Sequence, residues 1–159
     1  MTTKKIAMDI MVPVSDYSAV HTTDTLAQAI KVLKDSFTMV NRVINGHRSV
    51  LVLDDSEHLV GIVTIRSILK SLEIKSQIGS SLARIFVRDI IENNAMTINV
   101  MEVMRPVKEN YVKATDNITV AAKAILTGRI NIVPVVHENQ VVGIIRSIDL
   151  FNVIGELLD

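Results

Sequence analysis

Two runs rich in β-branched residues decide the fold: Ile132-Val133-Pro134-Val135-Val136 and Val141-Val142-Gly143-Ile144-Ile145. The polar stretch His137-Glu138-Asn139-Gln140 separates them. Such runs on either side of a polar turn predict a β-hairpin. Gly143 interrupts the second run, which indicates a place where a backbone or a ligand can approach closely.

Three polar residues follow the hairpin directly, namely Arg146, Ser147 and Asp149. They stand where a strand is predicted to end and the last helix, over residues 148–158, to begin. Helix N-termini offer unpaired backbone N–H groups, so polar side chains at such a junction can meet a ligand. This junction is therefore a candidate binding site.

The same pattern occurs earlier in the chain, with its glycine at Gly61-Ile62 in place of Gly143-Ile144. Upstream, Met8-Asp9-Ile10-Met11-Val12-Pro13 matches Met101-Glu102-Val103-Met104-Arg105-Pro106. The period of roughly 90 residues is longer than that of solenoid repeats. The duplication predicts two copies of one small α/β unit, packed face to face.

Composition excludes several classes of protein. Seventeen acidic residues balance seventeen Lys and Arg, which leaves no electrostatic signal for nucleic acid or a membrane surface. Cysteine is absent, so there is no disulfide, thiol nucleophile or zinc knuckle. With neither a signal peptide nor an apolar stretch of transmembrane length, we expect a cytoplasmic protein of 159 residues with one core or two half-domains.

Each copy is predicted to run strand, helix, strand, strand, helix. The predicted elements are 18–22, 25–35 (N-capped by Asp24), 49–53, 59–63 and 66–72, then 111–113, 119–126 (stopped by Gly128), the hairpin and 148–158. A turn is predicted at Asn45-Gly46. We divide the chain into a first copy over 1–75, a connecting helical segment over 76–99 and a second copy over 100–159.

The connecting segment carries apolar residues at helical spacing: Ile78, Leu82, Ile85, Phe86 and Ile90. This spacing predicts an amphipathic helix. Such a helix either covers the core or forms an oligomer or partner surface.

The duplicated unit resembles the cystathionine-β-synthase (CBS) domain, and the tandem resembles a Bateman module. The resemblance rests on the hydrophobic-Pro-Val-Val pattern before the turn and Val-Gly-Ile-Ile after it, and it covers nearly the whole chain outside the connecting segment. It implies an α/β (α+β) fold of two pseudo-symmetric β-α-β-β-α CBS units packed as one Bateman module, with an extra helix between them. It also implies a homodimeric regulatory module, not an enzyme, that binds AMP, ADP or ATP between the copies, or S-adenosylmethionine or NAD, without a metal.

The family's ligand motif is Gly-hydrophobic-x-Thr/Ser-x-x-Asp, in which Asp takes the ribose hydroxyls and the hydroxyl residue meets phosphate. A carboxylate can accept two hydrogen bonds from a cis-diol. The first copy has Thr64 but Ser67 at the acid position, and the second has Asp149 but Arg146 at the hydroxyl position, with Ser147 beside it. One composite site from Asp149 and Thr64 would restore both groups. The opposite site, with Ser67 and Arg146, would lack its acid.

The resemblance places further residues around the ligand. The base is expected against Asn110, Ile130 and Asn131. Arg48, Ser49 and Arg66 of the first copy are candidates for the phosphates, since the Arg fork matches phosphate oxygens.

Each of these assignments has a structural alternative. Asp149 also suits a helix N-terminus for electrostatic reasons, and Thr64 suits an ordinary strand end. Arg48 and Arg66 also fit solvated surface cations. Arg146 either plugs its own cleft or pairs with Asp149.

The function has an alternative as well. Both motifs are incomplete, which favours a ligand-free dimerising scaffold or partner-interaction module with decayed nucleotide sites. The sequence contains no nucleophile with a base and an orienting group, and no glycine-rich phosphate loop, so we expect no enzyme activity.

Overall fold

A computed structural model describes residues 4–40, 43–45, 48–75 and 95–159 of the chain. The chain divides into two compact units. Tyr17–Pro106 forms one, called here the middle unit. Met1–Asp16 together with Val107–Asp159 forms the other, called here the terminal unit.

Both units combine helices with a four-stranded sheet, so the predicted mixed α/β fold is confirmed. Along the chain the described elements are α1 Ala7–Ile10, β1 Val12–Pro13, β2 Ala19–His21, α2 Leu26–Asp35, β3 Thr38–Val40, β4 Val43–Asn45, β5 Ser49–Leu53, β6 Leu59–Thr64, α3 Ile65–Lys75, β7 Arg105–Pro106, β8 Val112–Lys113, α4 Ile118–Gly128, β9 Ile132–His137, β10 Gln140–Arg146 and α5 Ser147–Leu158. Single 3-10 turns cover Val14–Asp16, Val100–Glu102 and Val107–Glu109.

The middle unit is built on a sheet of order β2-β5-β6-β7. Strand β5 is central, parallel to β2 and antiparallel to β6, and Ser49 to Val52 are all buried. A strand that is buried on both faces reads as a continuous apolar run, which explains the sequence of β5. The buried core of this unit consists of Val20, Leu26, Ala29, Leu33, Val50, Val52, Val63, Ile68, Ile98, Val100 and Val103.

The terminal unit repeats this plan with a sheet of order β1-β10-β9-β8. Strand β9 is central, parallel to β8 and antiparallel to β10. Its core is a separate cluster of buried residues, namely Ala7, Val112, Ala114, Ala121, Ile125, Val133, Val135 and Ile145. The two copies seen in the sequence thus have matching sheets.

One of the two edge strands of each sheet comes from the other sequence copy. Strand β1 lies in the first copy but pairs with β10 of the second, with Val12 opposite Ile144. Strand β7 lies in the second copy but pairs with β6 of the first, with Arg105 opposite Ile62. Each of these edge strands ends in a proline, Pro13 or Pro106. Proline has no N–H to donate to the ladder, so it is tolerated on an edge strand, where one side of the backbone needs no partner strand.

The glycines of the two hairpins lie against methionines of these edge segments. A Cβ atom added to Gly143 would lie 2.7 Å from Cγ of Met11, and one added to Gly61 would lie 2.8 Å from Cγ of Met104. Another group does approach Gly143 closely, as the sequence predicted. The group is the Met11 side chain, whereas the prediction named a backbone or a ligand.

The polar turn between β9 and β10 is a two-residue loop, since His137 pairs with Gln140. Glu138 and Asn139 have φ of 49° and 64°. Two consecutive positive φ values mark a type I′ turn, whose twist matches that of the flanking strands. The predicted hairpin is confirmed.

Two predicted capping residues have other roles in the structure. Thr25, not Asp24, is the N-cap of α2, and its side chain accepts a hydrogen bond from Gln28 N; the Asp24 carboxylate accepts from His21 N instead. Gly128 lies inside the last turn of α4, and Arg129 adopts the left-handed conformation after it, with φ of 51°.

Besides the edge strands β1 and β7, one hairpin was not predicted. Strands β3 and β4 pair antiparallel, with Thr38 opposite Asn45, in a segment that the sequence marked only by a turn. Gly46 of that turn and most of the predicted connecting helix, residues 76–94, lie outside the described residues. Among the helices that are described, none combines the length and apolar character needed to cross a membrane.

Candidate functional site

The junction of β10 and α5 in the terminal unit holds an ion pair between Arg146 and Asp149. Arg146 is the N-cap of α5 and Asp149 is its third residue. The Asp149 Oδ2 atom accepts hydrogen bonds from Arg146 N at 2.8 Å and Nε at 2.9 Å, and Oδ1 accepts from Nη2 at 2.5 Å. Of the alternatives predicted for Arg146, pairing with Asp149 is therefore confirmed.

This pair occupies most of the hydrogen-bonding capacity of the carboxylate. An ionised carboxylate has about four acceptor sites, and Arg146 fills three of them. The Asp149 side chain is 10% exposed and that of Arg146 31%. The Asp149 carboxylate is thus a mostly buried anion that is held in a bidentate grip, the strongest geometry for such a pair.

Four further predicted residues of the terminal unit lie around this junction and the end of α4. The backbone N of Ser147 donates to the carbonyl of Asn131 at 2.8 Å. A Cβ atom added to Gly128 would lie 2.7 Å from Nδ2 of Asn110 and 3.3 Å from Cδ1 of Ile130. Asn131 and Ser147 are exposed, while Asn110 and Ile130 are half-buried. Amide, hydroxyl and apolar groups are therefore all accessible here.

The equivalent junction of the middle unit, between β6 and α3, carries two hydroxyls. Thr64 Oγ1 accepts from Ser67 N at 3.1 Å, and Ser67 Oγ accepts from Thr64 N at 2.9 Å. Ser67 Oγ also donates to the Thr64 carbonyl at 2.9 Å. The two hydroxyls form a reciprocal helix cap of the kind that a capping box makes. Thr64 and Ser67 thus take the places of Arg146 and Asp149 without any charge.

The remaining predicted residues of the middle unit lie next to this cap. Ser49 is buried and stands opposite Thr64 in the sheet. Arg48 accepts a backbone hydrogen bond from Ile65 N at 3.3 Å, and its side chain is exposed, as is that of Arg66. The ten predicted site residues therefore fall into two groups, six in the terminal unit and four in the middle unit. The composite pairing of Asp149 with Thr64 stays a prediction.

One charged residue with an unusual environment was not predicted. Arg105 lies on β7, and burial lowers the pKa of its guanidinium. A signal was present, because Arg105 replaces Val12 of the matching segment. The part of the chain that the structure describes contains no group of three His, Asp or Glu side chains able to hold a metal ion.

The family follows from a comparison with known families. The family model of the CBS domain matches residues 7–74 and again 87–156. The chain is a CBS-domain protein. The tandem of CBS domains accounts for the two matching sheets.

Solved structures of other CBS-domain proteins share this fold. CBSX2, solved in complex with AMP, superposes with a TM-score of 0.68 at 20% identity over 95% of this chain and 97% of that chain. A CBS domain-containing protein from Bacillus anthracis str. Ames Ancestor gives a TM-score of 0.71 at 18% identity, over 96% of this chain and 94% of that chain. Hypoxic Response Protein I, solved with two coordinated zinc ions, gives a TM-score of 0.61 at 19% identity, over 93% of this chain and 98% of that chain.

At these identities the likeness establishes the fold of this CBS-domain protein and nothing further. Among curated proteins, no sequence matches the chain.

Proposed function

We propose that this CBS-domain protein is a regulatory module that binds an adenine nucleotide such as AMP, ADP or ATP. The observation that carries the proposal is the mostly buried Asp149 carboxylate at the β10–α5 junction. A carboxylate can accept both hydroxyls of a ribose, and it stands beside accessible amide and apolar groups. The complex of the related CBSX2 with AMP supports the same ligand class.

Each residue of the site has a role in this proposal. Asp149 binds the ribose diol. Ile130 packs against the base, and Asn110 and Asn131 read its polar edge. Ser147 lies at the N-terminus of α5, where free N–H groups favour phosphate.

The matching junction of the middle unit carries candidate phosphate ligands of its own. They are the Thr64 hydroxyl and the exposed Arg48 and Arg66 side chains beside the buried Ser49. S-adenosylmethionine or NAD would present the same adenosyl group to Asp149.

Regulation requires that the nucleotide bind two conformations of the protein with different affinity. The protein then changes conformation with the concentration of the nucleotide, and a partner protein responds to that conformation. The module itself catalyses no reaction. We place this activity in the cytoplasm.

Calorimetric titration with AMP, ADP and ATP tests the proposal, preceded by a thermal-shift screen. Replacing Asp149 by Ala removes the two charge-assisted hydrogen bonds to ribose, each worth about 1.5–3 kcal/mol. We expect a loss of affinity of at least tenfold. Glu156→Gln is the matched control, because it removes an acid of the same helix that pairs with Lys5 instead. Equal affinity of Asp149→Ala and the unchanged protein would contradict the site.

We also propose that the protein is a homodimer that associates through α5. Large apolar side chains at spacings of three to four residues are exposed along this helix, and Phe151 is 66% exposed. They are Ile148, Phe151, Ile154, Leu157 and Leu158. Exposed apolar patches of this kind mark interaction sites, and a second copy would offer the same apolar stripe.

Light scattering tests the dimer. Phe151→Glu places a charge in the apolar stripe and should yield a monomer. Asn152→Glu places the same charge on the same helix at a polar, exposed position and should leave the dimer intact. A monomeric unchanged protein would contradict this proposal.

The Arg146–Asp149 pair favours a second function. In a site that has lost its ligand, the carboxylate would need another partner, and Arg146 is such a partner. The protein would then be a ligand-free scaffold that dimerises or binds a partner. A dimer that no nucleotide stabilises against heat is the result that distinguishes it.

A further inference from the structure

Arg146 is hydrogen-bonded to the Asp149 carboxylate, the group proposed to bind the ribose. The three hydrogen bonds from Arg146 leave Asp149 about one free acceptor position, on Oδ1. A cis-diol donates two hydrogen bonds to a carboxylate. The diol therefore cannot be bound fully while both Nε and Nη2 of Arg146 stay in place.

The backbone contact does not obstruct the ligand in this way. Arg146 N donates to Asp149 Oδ2 because of the helix start itself, and it would remain when the side chain moves. The two guanidinium bonds to Asp149 have to break before both oxygens of the carboxylate can accept from the diol. Since the Arg146 side chain is 31% exposed, it has solvent on one side into which it can swing.

A displaced guanidinium would stay close to the ligand. It is attached at the first position before α5, where the free N–H groups of the helix start also lie. A phosphate on the ligand would give Arg146 a new bidentate partner in exchange for Asp149. An uncharged nucleoside would offer no such partner, and its diol would have to displace the guanidinium without compensation.

The matching junction of the middle unit shows which feature is particular to Arg146. There Thr64 makes the corresponding cap with a hydroxyl, and no charge is involved. A threonine is also a preferred N-cap residue, so this arrangement supports a helix start without an ion pair.

We propose that Arg146 is a specificity-determining residue that makes the site select phosphorylated nucleosides over uncharged ones. In the absence of ligand, its guanidinium occupies the Asp149 carboxylate that would bind the ribose. Only a ligand that carries an anion offers the guanidinium a new partner when the ligand displaces it. The inference rests on the proposed nucleotide function.

The test compares AMP with adenosine by calorimetry in the full chain and in Arg146→Thr. The unchanged protein should bind AMP at least tenfold more tightly than adenosine. Arg146→Thr copies Thr64 of the middle unit, so it should fold and should bind adenosine at least tenfold more tightly than the unchanged protein does. The ratio of the two affinities should fall by tenfold or more.

Two further variants separate the closing of the carboxylate from simple attraction of phosphate. Arg146→Lys keeps the charge but loses the fork, so it should bind both AMP and adenosine more tightly than the unchanged protein. Lys123→Thr removes a cation from an exposed position of α4 and should change neither affinity.

The failures of the two proposals are distinguishable. If Arg146→Thr weakens AMP but does not strengthen adenosine, Arg146 is a phosphate ligand alone and the inference is wrong. An unchanged affinity ratio also overturns it, while nucleotide binding stands. If neither ligand binds to the unchanged protein or to any variant, the proposed function itself is wrong, and the inference with it.

Discussion

Replacing Gly143 by Ala should destabilise the terminal unit because of its nearest neighbour, Met11. The added Cβ atom would lie 2.7 Å from Cγ and 2.9 Å from Cβ of Met11. Carbon atoms prefer separations of about 3.5–4.0 Å, so Met11 has to retreat by about 1 Å. Because Met11 directly precedes β1, that retreat weakens the pairing of β1 with β10.

The magnitude follows from the two opposing effects of an added methyl group. Overpacking a filled site costs about 1–3 kcal/mol. Replacing a glycine within a strand by alanine raises the free energy of unfolding by about 0.5–1 kcal/mol, because the unfolded chain loses backbone entropy. We therefore expect Gly143→Ala to lower the free energy of unfolding by about 1–2 kcal/mol.

Urea unfolding monitored by circular dichroism measures this loss in a double-mutant cycle. In the background of Met11→Ala, the clash with Cγ of Met11 is gone and only that with its Cβ remains, so the Gly143 substitution should cost clearly less than in the unchanged protein. Gly61→Ala should also destabilise the protein, but its cost should be reduced by Met104→Ala and not by Met11→Ala.

Gly155 provides a positive control in the same unit. A Cβ atom at Gly155 meets nothing within 4 Å in the middle of α5, so Gly155→Ala should stabilise by about 0.5–1 kcal/mol. An equal cost of Gly143→Ala with and without the Met11 side chain would refute the packing argument.

Three further substitutions test other features. Glu138→Asn with Asn139→Gly gives the type I′ turn its preferred residues and should raise the free energy of unfolding by on the order of 1 kcal/mol, measured in urea. The hydrogen bond of 2.8 Å to Glu57 raises the pKa of His21, so this pair stabilises the fold below about pH 6.5 and the contribution fades as pH rises through the raised pKa. Glu57→Gln should accordingly lower the pKa of His21 in an NMR titration. Ser67→Asp creates an acid at the α3 start, where Thr64 stands in place of Arg146, and calorimetry should detect one additional AMP molecule per chain; an unchanged stoichiometry counts against a ribose role for this position.

The elements with strong local patterns were predictable from sequence. Strand β5 spans Ser49–Leu53 as predicted, because the apolar run from Val50 to Leu53 marks it, and the β9–β10 turn follows from its polar residues. Helix ends were harder. Asp24 and Thr25 are both good caps, and only the bond from Gln28 N identifies Thr25.

The exchange of edge strands could not be read from the repeat. A repeat shows which residues correspond, but not to which sheet they add. Strands of two residues, such as Val12–Pro13 and Arg105–Pro106, are too short to show a period. The pair β3–β4 could have been found, since Thr38, Val40 and Val43 are β-branched.

The candidate site was predicted in its residues more than in its contacts. The spacing of Arg146 and Asp149 is three residues, which brings two side chains together on a helix. The ligand motif assigned the two residues to opposite sites, so their pairing was only one of several alternatives. The orientation of a side chain towards its neighbour or a ligand is decided by local packing, which a motif does not contain.

The crossed edge strands impose an order on the folding of a newly made chain. The middle unit is one continuous segment and can fold as soon as it has been synthesised. Strand β1 is made first, yet its partner β10 follows about 130 residues later, on the order of ten seconds at roughly 5–20 residues per second. During that interval Met11 has no Gly143 to pack against, so a segment that is synthesised before the middle unit completes its packing only after the middle unit has been made.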